Sequence, residues 1–289
     1  MYKEITAVID FFKVWIFDAL FYPIKWVKNR ALKSKIPTKQ RADIESSVIH
    51  VCVHEWGGYP IVRSKKVKNI SQFECGLKYQ IDRFEKYRKQ NKVRLTVTIS
   101  EPLRHENLNW IQCNSDQVLT VPNLGMDFSG YAHFFESIKN LPNSYVILTN
   151  SSVNCLQEDF LDSYIQYMNE NRDVGMLGVS CSSKYFHTFI RNNYNPHIQS
   201  FFILTTISVL KEIVSRNNHK FPGTGIVNKH LLIRSGEVLI SRIALELGYN
   251  LSIVYNHQAV KFNYRHYPFP KTDLRQSSIH PNAITKLIN

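Results

Sequence analysis

The chain has 289 residues, 44% hydrophobic and 12% aromatic, which supplies apolar material for one sizeable packed domain or two small ones and argues against extensive disorder. Its 36 lysines and arginines exceed its 23 aspartates and glutamates, and the formal charge of +13 favours an anionic partner: nucleic acid, an acidic membrane surface or a phosphate-bearing substrate. The five cysteines are widely spaced, odd in number and without a Cys-x-x-Cys pair, so they suggest neither a disulfide framework nor a zinc site and fit a reducing cytoplasm. No stretch reaches the roughly 18 uninterrupted apolar residues of a membrane-spanning helix, and the N-terminus lacks the small-residue cleavage pattern of a secretory signal.

Residues 1–35 read as an amphipathic, basic helical segment. Phe11, Phe12, Trp15, Ile16, Phe17, Leu20, Phe21, Ile24 and Trp26 crowd one wide apolar face, while Lys3, Asp10 and Lys28 share the other side at about 100° per residue. Pro23 is expected to kink or divide the helix. The basic run Lys25, Lys28, Arg30, Lys33 and Lys35 follows, with each charge worth about 1 kcal/mol against an anionic head-group surface. The pattern predicts a helix lying in the membrane interface, and hence a cytoplasmic protein held peripherally on the inner face of the cell membrane; the competing reading is a helix packed on the domain or a second subunit. Residues 36–46 read as a polar linker, and residues 47–289 as the main domain with a polar tail from about 256.

Within that domain, Ser47 to Trp56 is a β-branched strand stopped by Gly57 and Gly58. Phe73, Leu77, Ile81 and Phe84 recur at helical spacing, and Lys92 to Ser100 is a second strand, which makes a β-α-β unit and a parallel sheet. Further strands are expected at Gln117–Val121, Ser144–Asn150 and Val174–Cys181, with helices at Ser129–Leu141 and Phe160–Glu170. The apolar run at 144–150 suits the centre of a sheet covered on both faces. Asn195 to Thr206 is expected to be a single strand leading into a helix, with His197 and Gln199 on one face by period-two alternation. Glu237 to Leu247 reads as a helix closed by Gly248. Ligands of open α/β sheets bind beyond the carboxyl ends of the strands, so the polar residues after Tyr145–Asn150 and the Gly57-Gly58 turn should border one site.

Five segments taken in order, VIHVCVHEW (48–56), VPNLGMDFSGY (121–131), YVILTNSSV (145–153), PHIQSFFILT (196–205) and GEVLISRIALELGY (236–249), resemble sugar-nucleotide-dependent glycosyltransferases with the A-type fold. The family they most resemble is that of the rhamnan synthesis protein F, which builds bacterial cell-surface polysaccharides. The resemblance spans most of Ser47 to Tyr255. It implies a single A-type, Rossmann-like α/β domain (GT-A-like) with a mostly parallel central sheet. It also implies a nucleoside-diphosphate-sugar donor and a growing, lipid-linked surface glycan as acceptor: O-antigen, capsule or rhamnan-like.

Such a transfer needs a cradle for the nucleotide, charge stabilisation for the departing diphosphate and, if configuration inverts, a base for the acceptor hydroxyl. For the donor, the candidates are His54 and Glu55 at the end of the first strand, Asn123 and Asp127 in the glycine-containing turn, Asn150 and Ser151 after the central strand, and Gln199. Most enzymes of the fold that the chain resembles place an Asp-x-Asp after the central strand, which holds Mg2+ or Mn2+ on the phosphates. Here that place reads Asn150-Ser151-Ser152 and the chain has no Asp-x-Asp, so no metal ligands are assigned. Lys261, Arg265, His266 and His280 in the tail are the basic groups that could take the role instead. The resemblance sets Glu237 as the catalytic base of an inverting transfer, with His197 as a second catalytic group bonding a phosphate or an acceptor hydroxyl. Two other readings fit the same residues: a non-catalytic basic protein binding membranes or nucleic acid, and a degenerate transferase serving as a partner subunit. No nucleic-acid-binding motif appears, so nucleic acid is not the expected partner.

Overall fold

A computed structural model of the chain describes residues 2–66, 72–184, 194–269 and 283–288. Two helices open it, α1 (Tyr2–Leu20) and α2 (Tyr22–Ser34). They part at Phe21, and Pro23 lies in the first turn of α2, where a missing N–H breaks no helical bond. Then follow β1 (Ile49–Trp56), the short antiparallel pair β2 (Arg63–Lys65) and β3 (Phe73–Cys75), α3 (Leu77–Lys89), β4 (Val93–Ser100), α4 (Leu108–Asn114), β5 (Gln117–Val121), α5 (Asp127–Ile138) and β6 (Tyr145–Asn150). The second half runs α6 (Leu161–Glu170), β7 (Val174–Gly178), a second antiparallel pair β8 (Cys181–Lys184) and β9 (Tyr194–Ile198), then β10 (Phe202–Thr206) and α7 (Ile207–Arg216). It closes with α8 (Lys229–Leu232), a π-turn (Ile233–Val238), α9 (Leu239–Leu247), β11 (Asn250–Tyr255) and β12 (Gln258–Phe262).

Among the described residues one eight-stranded sheet dominates, in the order β12-β11-β7-β10-β6-β1-β4-β5. β5, β4, β1 and β6 are parallel; β10 runs against β6 and β7; β11 follows β7, and β12 turns back. This is the expected α/β architecture with a mostly parallel sheet. Both faces are covered. Residues of α5, α7 and α9 build one core with Leu148, Ile203 and Leu251, while α3 and α6 build the other with Val51, Ile147 and Leu204, closed by Ile284 and Leu287. Coverage from both sides explains why every residue of β6 is buried and why its sequence is apolar from Tyr145 to Leu148, turning polar only at its carboxyl end. On the α3/α6 face, Phe160 meets Phe84, Tyr164 and Phe202 edge-on at 6.0, 5.1 and 5.8 Å, contacts worth about 1 kcal/mol each beyond simple burial.

The segment expected as a polar linker has no helix or strand, yet it is bound to the domain. Arg41 is buried, with Nε donating to the Val174 carbonyl at 2.7 Å and further bonds to Tyr145 Oη and the Met168 carbonyl. Lys39 N–H donates to the Gly248 carbonyl and Glu45 N–H to that of Asn143, so residues 39–45 run along the edge where the parallel strands begin.

Three expectations are corrected. The run from Asn195 to Thr206 is not one strand. It breaks after Ile198 because the N–H of Gln199 donates to the Ser180 carbonyl and that of Ser200 to the Glu237 carboxylate, neither of which lies on a neighbouring strand of the main sheet. His197 in β9 and Phe202 in β10 therefore belong to different sheets, and alternation does not relate them. Nor does Glu237 begin a helix. It lies within continuous helical chain from Lys229 to Leu247, at the wide π-turn, and only the far end matches expectation, with Gly248 at φ +101° in the left-handed cap position. Helix α5 starts at Asp127, two residues ahead of the expected Ser129.

Candidate functional site at the carboxyl ends of the strands

The site is organised by α5. Its Gly130 lies directly on the sheet, where an added Cβ would come 2.3 Å from His54 Nδ1 and 2.4 Å from Thr98 Oγ1. Only glycine permits that approach, and it carries the first turn of α5 down to the ends of β1 and β6. There Asn150 Nδ2 donates to Asp127 Oδ2 at 2.6 Å, while Asn150 Oδ1 accepts the Ser152 N–H at 2.9 Å. His54 is buried with Nδ1 3.1 Å from Thr98 Oγ1; burial lowers its pKa against the opposing pull of Asp127 and Thr98. It serves as a neutral floor beneath the helix.

Beside this lies a group that β2 supplies. Arg63 Nη1 meets Glu55 Oε2 at 3.2 Å, its Nη2 donates to Ser151 Oγ at 2.6 Å, and its guanidinium lies 4.2 Å from the centre of the Tyr59 ring. Tyr59 packs edge-on against Trp56 at 4.7 Å, and Arg104 lies over Trp56 from outside. The other oxygen of Glu55, Oε1, accepts the Trp56 N–H at 2.9 Å. Burial pushes the Glu55 carboxyl up to about 7, against the opposing pull of Arg63, Ser151 and the Trp56 amide.

The third group lies beyond Tyr131, one helical turn after Asp127. Tyr131 Oη donates to the Ser200 carbonyl at 2.9 Å. Ser200 in turn gives both its N–H and its hydroxyl to Glu237 Oε2, at 2.8 and 3.0 Å, while His197 Nε2 lies 3.6 Å from Oε1. The π-turn makes this possible. Gly236 packs on Phe128 of α5, where a Cβ would be 2.7 Å from the ring, and the next residue presents its carboxylate to Ser200. Wide turns of this kind are frequent at functional sites. Burial pushes the Glu237 carboxyl up, but the hydrogen bond and charge of His197 together with the two Ser200 bonds outweigh it and hold the group below the usual carboxylate range. Glu237 keeps 13% of its side chain exposed and His197 only 3%. His197 Nδ1 also faces the Asn195 carbonyl at 2.7 Å. With both ring nitrogens turned to protein oxygens, His197 supports Glu237 and offers no nitrogen to a phosphate or an acceptor.

The structure thus brings together His54, Glu55, Asp127, Asn150, Ser151, Glu237 and His197 from the sequence-derived set. Others lie elsewhere. Asn123 is exposed in the turn after β5 and donates to Glu101 Oε1 at 2.7 Å. Gln199 is buried with its side-chain oxygen accepting from Ser180 Oγ at 2.6 Å. Lys261 pairs with Asp173, 2.9 Å away at the start of β7, so it lies at the opposite edge of the sheet. Arg265 and His266 belong to the turn beside it, built on Asn263. The antiparallel course of β12 carries the tail to that edge, so these basic groups do not reach the site. His280 lies outside the described residues. The sequence reading misses Arg63, Tyr131 and Ser200 as contributors; the alternation of Arg63 and Lys65 about Ser64 is the one signal available for the first.

No family model matches the chain, and no curated protein matches it, so the likeness to the rhamnan synthesis family rests on the quoted segments alone. Among solved structures, a mannosyltransferase from Pyrobaculum calidifontis in complex with GDP-Man and Mn2+ aligns with 84% of this chain at 13% identity and a TM-score of 0.37. The chain spans 64% of that protein's length. At that level the match carries no argument about chemistry, which rests on the arrangement described above.

The Glu55 environment predicts a pH dependence. Its folded pKa of about 7 lies above the ordinary 4.5, so the folded state holds the proton more tightly, and the associated stability is complete below pH 4.5 and lost as pH rises through 7. Thermal melts from pH 5 to 8 should show the wild-type midpoint falling relative to Glu55→Gln by roughly 3 °C or more. Parallel profiles for the two proteins would contradict this assignment.

Proposed function

We propose that this chain is a glycosyltransferase that takes a sugar from a nucleoside diphosphate at the carboxyl edge of β1 and β6 and passes it to a glycan hydroxyl, with inversion. The observation that supports this reading is the pairing of two differently prepared carboxylates on either side of Tyr131: Asp127, tied to Asn150, and Glu237, tied to Ser200 and His197. Asp127 is suited to accept hydrogen bonds from the donor nucleoside, and the half-exposed rings of Trp56 and Tyr59 offer a surface for its base. Glu237 is kept ionised at neutral pH and is seated against two Ser200 donors, as a base for an acceptor hydroxyl should be. His197 is a positioning residue that orients Glu237 and holds its charge. In the transfer the acceptor oxygen bonds to the anomeric carbon, the bond from that carbon to the diphosphate oxygen breaks with its electron pair, and the hydroxyl proton passes to Glu237.

The acceptor side of the proposal is a lipid-linked glycan at an anionic membrane surface. Ile5, Ile9, Phe12, Ile16 and Leu20 are exposed at helical spacing along one stripe of α1, and Ile24 and Val27 continue the exposed apolar surface in α2. Lys28, Arg30, Lys33 and Lys35 are exposed beside it, and residues 19–35 contain no Asp or Glu. The hairpin is anchored to the domain by other residues: Phe11 packs on the His230 ring at 6.1 Å, Asn29 bonds the Tyr194 carbonyl, and Lys33 lies over the Tyr194 ring. His230 belongs to α8, which leads into the Glu237 turn, so a membrane bound to this stripe would lie on the acceptor side of the site. Among the described residues no helix is long and apolar enough to cross a membrane.

Two experiments test these statements. A panel of nucleoside diphosphates and their sugars should include at least one that raises the melting temperature, and Glu237→Gln should retain that shift while losing transfer by a factor of about 100 or more; undiminished transfer by the variant would remove Glu237 as base. In flotation with vesicles of mixed zwitterionic and anionic phospholipid, the wild type should partition to the vesicles, and the double substitution Phe12→Asp, Ile16→Asp should weaken that partition at least roughly tenfold. Equal flotation of both proteins would refute the membrane surface.

A further inference from the structure

The polar atoms at the strand ends are arranged as though the cation of this site were already in place. Asn150, where the related fold carries metal-binding carboxylates, has its amide nitrogen bonded to Asp127 and its amide oxygen to the Ser152 N–H. Ser151 Oγ accepts from Arg63 Nη2, and both oxygens of Glu55 accept protein N–H donors, one of them from Arg63. A divalent ion needs several oxygens turned outward to a common point. Among the described residues no group of three or more His, Cys, Asp or Glu side chains is disposed to hold one. These residues therefore do not fit the Mg2+ or Mn2+ that the family resemblance implies; the guanidinium of Arg63 occupies the strand ends instead.

Lys65 completes the arrangement. It stands two residues from Arg63 on β2, and the two side chains share the half-buried face while Ser64 points to solvent. Lys65 has no hydrogen bond or ion pair among the described residues. Burial holds its ammonium below the usual lysine range; Cys75 and Asp127 pull it back up, and Arg63 and Lys229 press it further down. A partly desolvated cation crowded by two others, with one carboxylate nearby, is relieved by an incoming polyanion. Arg63 is fixed by its own contacts and supplies positive potential from behind, while Lys65 is free to meet the ligand.

Building on the transferase reading, we propose that Lys65, backed by Arg63, binds the diphosphate of the donor and neutralises the charge that develops on it as the glycosyl bond breaks, with no divalent metal taking part. The ligand class is a nucleoside diphosphate, recognised through its phosphates by side-chain cations of the β2–β3 pair.

The test is calorimetry on the full chain with UDP, GDP and TDP, each in excess EDTA and again with Mn2+. At least one should bind with the same Kd under both conditions, and the affinity should fall as salt is raised. Lys65→Gln should weaken that diphosphate at least about tenfold while changing the corresponding nucleoside less than about twofold, and Lys65→Arg should restore most of the affinity. A loss that extends equally to the nucleoside would mark a damaged fold and count against the assignment, as would unchanged diphosphate binding by Lys65→Gln. Binding that requires Mn2+ and vanishes in EDTA would overturn the metal-free clamp and leave the transferase reading standing. Failure of every nucleoside diphosphate under both conditions would overturn that reading as well.

Discussion

The site depends on how closely α5 lies on the sheet. Because Gly130 has no side chain, the helix rests on His54 and Thr98, and three consequences follow from that one approach. Asp127 reaches Asn150 at the end of β6; Phe128 fills the space against Gly223 and Gly236; Tyr131 reaches the Ser200 carbonyl in the turn before β10. A helix raised by the width of a methyl group would lose all three contacts together. The arrangement of the candidate site is thus a result of backbone packing, and its polar side chains inherit their positions from it.

Electrostatics then differentiates groups that look alike in sequence. Glu55 and Glu237 are both buried carboxylates, but burial prevails at Glu55 and lifts it to about 7, whereas hydrogen bonds and the adjacent imidazole prevail at Glu237 and lower it. One is poised to exchange its proton near neutrality, and the other stays charged. Asp127 faces an amide. On the cationic side, Arg63 is engaged with Glu55, Ser151 and the Tyr59 ring, whereas Lys65, on the same half-buried face of a three-residue strand, has no hydrogen bond or ion pair among the described residues.

Much of this architecture is legible in the sequence. The β-branched runs at 49–56, 93–100 and 145–150 have no competing periodicity, and the helix ending at Gly248 is marked by a glycine that the left-handed cap favours. The failures have physical causes. Nothing in PHIQSFF signals a break, since the chain turns there because a carboxylate 37 residues later and the Ser180 carbonyl capture its amides. Pro196, which has no N–H to donate, sits without cost in the short outer strand β9. The π-turn at Glu237 is invisible to a 3.6-residue period. Strands as short as β2 and β3 give too little alternation to recognise, which hides Arg63 and Lys65, and the reversal at β12 takes Lys261, Arg265 and His266 to the other edge of the sheet.

A crystal structure of the chain with a non-transferable nucleoside-diphosphate sugar would show whether one edge of the sheet holds both the donor phosphates and the acceptor's base. The diphosphate should lie beside Lys65 and the sugar between Asp127 and Glu237, with its anomeric carbon open on the Glu237 side. A nucleotide bound away from the ends of β1 and β6, or a sugar turned so that α5 separates it from Glu237, would contradict this arrangement.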